Sequence, residues 1–86
     1  MNARDFENSV WNVDKIRLVV CCSNNVELVD YGYANAANKN STLSEWLENR
    51  IYPNIDGHQV IVIGGNGKQP HGNSLVQTVR DSYATD

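Results

Sequence analysis

Residues 58–83, HQVIVIGGNGKQPHGNSLVQTVRDSY, limit the folds open to this chain more than any other stretch. They begin with an apolar run rich in β-branched residues, too short for an ordinary helix and suited to a strand. Glycines and polar residues follow. Leu75, Val76, Val79 and Tyr83 then recur at helical spacing behind Ser74 and Gln77, which match the S-x-x-Q form of a capping box. Arg80 near the end of that helix suits its dipole. Strand, loop and helix in this order call for a small sheet with helices packed on it. Because the run from His58 to Ile63 is apolar on both faces, it is expected to lie buried inside the sheet or covered from both sides.

Upstream, KIRLVVCC at 15–22 alternates as a strand, with Ile16, Leu18 and Val20 on one face and Arg17, Val19 and Cys21 on the other. Ser23-Asn24-Asn25 signals a turn, and VELVDYGY at 26–33 resumes a strand pattern that places Glu27, Val29, Tyr31 and Tyr33 together. The two runs form an expected hairpin. An Asn-rich connector at 34–41 leads to Thr42 and Glu45, a T-x-x-E capping box, after which Leu43, Trp46, Leu47 and Ile51 repeat at helical spacing until Pro53. Asn54-Ile55-Asp56-Gly57 turns the chain into the third strand. The predicted architecture is therefore α+β: a small three-stranded, mainly antiparallel sheet in β-β-α-β-α order, with strands arranged 2-1-3 if the first lies between the other two, and two helices packed on it. The hairpin followed by a helix resembles the start of a β-grasp domain.

Residues 15–86 comprise the single compact domain of this reading, and 1–14 an N-terminal arm. Phe6 and Val10 suit one helical turn, but Asn8, Ser9 and Asn12 are expected to interrupt a longer helix. Trp11 is expected to pack on the domain; its rival role is an exposed anchor for a partner.

Composition narrows the function classes. A formal net charge of −3, from 7 Lys and Arg against 10 Asp and Glu, disfavours direct binding of nucleic acid, which rests on cations meeting phosphates. The 2 cysteines, Cys21 and Cys22, are adjacent and cannot join distant parts of the chain, which suits a reducing, cytoplasmic setting. No apolar run approaches the ~18 residues of a membrane span, and the first residues lack the core of a leader. The sequon Asn40-Ser41-Thr42 is then expected to stay unmodified. Cys21, Cys22, His58 and His71 do not have the spacing of a zinc site, no nucleophile motif is present, and 86 residues leave little material for a deep pocket. No metal, no cofactor and no catalytic residue are expected.

Two candidate sites remain. A strand feeding a glycine loop and a helix is a phosphate-cradling arrangement, with Gly65, Gly67, Lys68 and His71 as the anion-binding candidates, although residues 64–73 fail both G-x-x-x-x-G-K-[ST] and G-x-G-x-x-G. The other candidate is a surface of Glu27, Asp30, Tyr31 and Tyr33, joined by Glu45 and Glu48, whose acids and tyrosines suit a protein partner with a basic surface. On the expected edge strand it could also accept a partner's strand or build a homodimer. In size, mild acidity and lack of site motifs the chain is similar to small phage-encoded proteins that block host defence complexes, anti-CRISPR proteins among them. That resemblance implies a non-enzymatic inhibitor working in the host cytoplasm, covering the nucleic-acid-binding surface of its target. The alternative is a regulatory domain that binds phosphate or a nucleotide in the 64–73 loop.

Overall fold

The computed structural model of the chain describes residues 1–23, 25–55 and 57–83; Asn24 and Asp56, each part of an expected turn, lie outside them. Helix α1 runs over Ala3–Asp14, strand β1 over Arg17–Cys21, helix α2 over Leu43–Trp46, strand β2 over Gln59–Ile63 and helix α3 over Val76–Ser82.

Helix α1 stands where an arm was expected. Asn2 caps it, the side-chain oxygen accepting from Asp5 N at 2.8 Å. Ala3, Phe6, Val10 and Asp14 are its buried positions, three or four residues apart, so one stripe faces the core. The helix continues through Asn8 and Asn12 because both face solvent, where a poor helix former costs only a few tenths of a kcal/mol. It ends at Lys15, whose backbone is left-handed with φ 58° and whose amide returns to Trp11 O at 3.0 Å.

β1 and β2 pair antiparallel with Arg17 opposite Ile63, Val19 opposite Ile61 and Cys21 opposite Gln59. The expected adjacency of the first and last strands is present. The three-stranded sheet is not: among the described residues the sheet has two strands, and the fold is a small mixed one with three α-helices. Residues 26–33 form no strand. Helix α1 holds the flank they would have taken, for the Val20 amide donates to Glu7 Oε2 at 2.9 Å instead of to a hairpin neighbour. The displaced segment pairs with the chain's start: Leu28 N donates to Met1 O at 2.7 Å and the Met1 amino group to Leu28 O at 2.8 Å. It buries Leu28 and Tyr31, three apart, which breaks the period of a strand.

Nor is β2 covered on both faces. Val62 is buried, but Ile61 is 45% exposed, since among the described residues no third layer lies over the outer face.

The Thr42 capping box forms, with Glu45 N donating to Thr42 Oγ1 at 3.2 Å and Thr42 N to Glu45 Oε1 at the same distance. Beyond Trp46 the helix widens into a π-helical stretch, Leu47–Ile51, and closes with a 3-10 turn, Tyr52–Asn54. Pro53 brings no amide to the carbonyls behind it. Asn49 O is met instead by the Tyr33 hydroxyl at 3.4 Å, and Arg50 O by Asn54 Nδ2 at 2.7 Å.

The Ser74 box does not form, because α3 begins after Leu75 and has no side-chain cap. The two helix starts cap each other: Leu43 N donates to Ser74 O at 2.7 Å and Val76 N to Ser41 O at 2.8 Å.

Asp14 joins these parts. Fully buried, its carboxylate accepts from the Tyr31 hydroxyl, from Ala37 N at 2.6 Å and from Arg50 Nη1 at 3.1 Å, with Arg80 Nη2 3.6 Å away. Its own carbonyl takes Arg80 Nε at 2.7 Å. One aspartate thereby connects α1, the 31–37 segment, the π-helical stretch and α3.

Candidate functional site

Strand alternation sends Leu18, Val20 and Val62 inward, so Arg17, Val19 and Cys21 of β1 and Gln59, Ile61 and Ile63 of β2 share the outer face. Val19 and Ile61, directly opposite each other, are 41% and 45% exposed. At one end of this face the Arg17 guanidinium lies 4.8 Å from the centre of the Trp11 ring, and Lys15 Nζ lies 5.7 Å from it. Tyr83 meets the same indole edge to face at 5.5 Å. Its hydroxyl bridges the sheet end, accepting from Arg17 N at 3.0 Å and donating to Ile63 O. Burial raises the Tyr83 phenol above its ordinary range, the Arg17 amide and charge acting weakly the other way. Neither Lys15 nor Arg17 has a carboxylate in ion-pair range among the described residues.

The glycine loop folds differently from a phosphate cradle. Its amides bond within the protein: Gly64 N to Lys68 O at 2.8 Å, Gly65 N to Ser82 Oγ at 2.9 Å, Gly67 N to Gly64 O at 2.9 Å and Lys68 N to Asn66 Oδ1 at 3.0 Å. Gly65 sits against the carboxyl end of α3, so close that a Cβ would fall 1.6 Å from Ser82 O. A helix end of that polarity repels anions. Lys68 and His71 are exposed, and His71 Nδ1 accepts from Asn73 N at 3.1 Å. Between the loop and α3 lies an open cleft of about 400 Å³, lined in part by Pro70, Thr78 and Val79.

The acid and tyrosine set is divided. Glu27 Oε2 and Asp30 Oδ1 hold the Met1 amino group at 2.7 and 3.1 Å, and these hydrogen bonds raise its pKa. Tyr31 is a core residue, packed edge to face on Phe6 with ring centres 5.3 Å apart. Burial first, then its bond to Asp14, holds the Tyr31 phenol far above the ordinary tyrosine range. Tyr33 is half-buried beneath Arg50, 4.4 Å from ring centre to guanidinium. Glu48 is exposed on the neighbouring π-helical stretch, and Glu45 is engaged in the Thr42 cap.

Comparison with protein families, with characterised proteins and with solved structures gives no match for this chain. The site therefore rests on its own geometry. Cys21 is a free thiol at the exposed end of the outer face, and Cys22, also free, is half-buried. Among the described residues no group of three or more His, Cys, Asp or Glu stands together as metal ligands would. No helix among them is long and apolar enough to cross a membrane.

Sequence reasoning overlooked the outer face because it placed β2 in the interior. The signal was available: Val19 and Ile61 each lie on the opposite side of their strand from the inward Leu18, Val20 and Val62. Only the covering layer was misjudged.

Proposed function

We propose that the protein works by binding another protein, with no catalytic step and no cofactor, and that the outer face of the sheet is its docking surface. The observation that carries this reading is the exposed pair Val19 and Ile61, side by side in register on an uncovered sheet. Around it stand Trp11 and Arg17, residue types that dominate the energetics of protein interfaces. With Lys15 and Arg17 lacking ion-pair partners among the described residues, the complementary surface is apolar and edged with carboxylates. Acting as an inhibitor, the protein would cover a working surface of its partner.

A second surface is favoured by Glu27 and Asp30, which already grip one ammonium group, that of Met1, as they would a lysine of a basic partner. One experiment separates the two. The partner is identified by tagged co-purification, purified, and titrated with wild type, with Val19→Lys, and with the double variant Glu27→Lys, Asp30→Lys. Docking through the sheet predicts a loss of ~10-fold or more from Val19→Lys and little from charge reversal. The opposite pattern transfers the role to the acidic pair, and no loss from either overturns both.

A further inference from the structure

Arg17 stands where two surface grooves meet. Arg17, Trp11 and Ile63 line both: one groove, of about 380 Å³, runs between Glu7 of α1 and Val19 of β1, and the other, of about 350 Å³, passes Gly67 and Tyr83. The guanidinium rests on the Trp11 indole, and the backbone beneath it is pinned by the Arg17 amide donating to the Tyr83 hydroxyl at 3.0 Å. A guanidinium laid on a ring is already ordered, so it loses little further freedom when its N–H fork meets a carboxylate. Glu7, the carboxylate in the first groove, is held by the Val20 amide at 2.9 Å and forms no ion pair with Arg17. Lys15 brings a second cation to the same indole, and among the described residues it is the one non-glycine residue with positive φ, 58°. Glycine is favoured at such a helix end and a side chain is strained there, yet the position carries an ammonium group. The carbonyls that end α1 are answered within the chain, Trp11 O by the Lys15 amide at 3.0 Å and Asp14 O by Arg80 Nε at 2.7 Å. The full charges of Lys15 and Arg17 therefore set the field at this corner.

We infer that this corner selects the partner by one carboxylate: an Asp or Glu of an extended segment lies across Arg17 and Lys15, and an aliphatic side chain of the same segment rests on Val19. The inference rests on the docking role of the outer face and names what docks there. Arg17 and Val19 are two apart on β1, so their side chains stand ~7 Å apart on one face. An extended segment sets its alternate side chains at the same spacing, so an acid two residues from an aliphatic one meets both. Nucleic acid fits the corner less well. Its charge runs along its whole length, whereas the cations here give way to Val19 and Ile61, Glu7 places a negative charge in the groove, and the chain as a whole carries −3. A neutral apolar segment would leave both cations unanswered at the edge of the contact, so Arg17 and Lys15 supply selectivity more than affinity.

Amide-resolved nuclear magnetic resonance of the isotope-labelled full chain tests it, with three probes: the acetylated peptide amide Glu-Ser-Val-Ser-Ser, the same peptide with Gln for Glu, and a short oligothymidylate. The acidic peptide should shift the Arg17, Val19 and Ile61 amides with a Kd of ~1 mM, ~3-fold or more tighter than the Gln peptide, as an exposed ion pair allows. Raising salt from ~10 mM to ~500 mM should erase the difference. Arg17→Gln should make the two peptides equal. Lys15→Gly should reduce the preference while melting no lower than wild type, which a merely structural lysine would not do. A preference that survives Arg17→Gln overturns the inference, as does oligothymidylate binding more tightly than the acidic peptide at the same salt. Equal shifts at Val19 and Ile61 from both peptides overturn the carboxylate while leaving the docking face in place. Shifts at neither position from any probe also overturn it, and the docking face is then judged separately by the Val19→Lys titration with the purified partner.

Discussion

Replacing Asp14 should damage this fold more than any other single change of a charged residue. Its carboxylate is fully buried and touches the Tyr31 hydroxyl, the Ala37 amide and Arg50, with Arg80 at the edge of ion-pair range. The two arginine side chains are themselves only 19% and 17% exposed. Asp14→Ala would leave both cations facing each other without a counter-charge, and would orphan the Ala37 amide. Removing one member of a buried ion pair typically costs about 3–5 kcal/mol. A domain of this length holds about 4–13 kcal/mol in total, so the variant would lose from about a quarter to all of it. Asp14→Asn retains an acceptor for Ala37 N but loses the charge, and should cost about 2–3 kcal/mol. Urea unfolding at neutral pH measures both, and the alanine variant should melt about 12–40 °C lower. Crossing Asp14→Ala with Arg50→Ala should give a coupling of ~1–3 kcal/mol. If Asp14→Ala costs less than ~1 kcal/mol, the value of an exposed ion pair, the aspartate does not hold these four parts together.

Three further outcomes are expected. Burial raises the phenols of Tyr31 and Tyr83, so above about pH 10 the unfolded chain gives up protons that the folded chain keeps; stability present below that pH should fall as pH rises, and Tyr31→Phe should flatten the decline in urea titrations at pH 8–11. Gly65→Ala should lower stability by about 2 kcal/mol in thermal unfolding, because its methyl collides with the Ser82 carbonyl, and a cost near zero would mean that the loop does not pack on α3. Tyr83→Phe removes the hydroxyl shared by Arg17 N and Ile63 O, and should cost about 1–2 kcal/mol while speeding exchange of the Arg17 amide.

Parts of the fold written in short-range patterns were legible. The alternation of 17–21 and 59–63, the Thr42 capping box and the helix ending in Ser82 follow from residues a few positions apart. Helix α1 was also written locally, in the spacing of Ala3, Phe6, Val10 and Asp14 behind Asn2, but its asparagines suggested a break that a solvent-facing position does not enforce. The candidate site was less legible. Glu27, Tyr31 and Tyr33 share one side, with Asp30 beside them, only if 26–33 is a strand, and without that strand the four separate onto the chain's start, the core and the π-helical stretch.

The sequence by itself determined where the chain can be strand or helix and which side of each strand is apolar, because these depend on φ/ψ preference and on side-chain period within a few residues. Tertiary structure alone decided what lies against each edge and face. Glu7 reaches Val20, Tyr83 reaches Arg17, and Arg80 reaches Asp14 across most of the chain. Such contacts are a competition for one place: α1 took the flank of β1, so residues 26–33 lost it, and among the described residues nothing was left to cover Val19 and Ile61 fully.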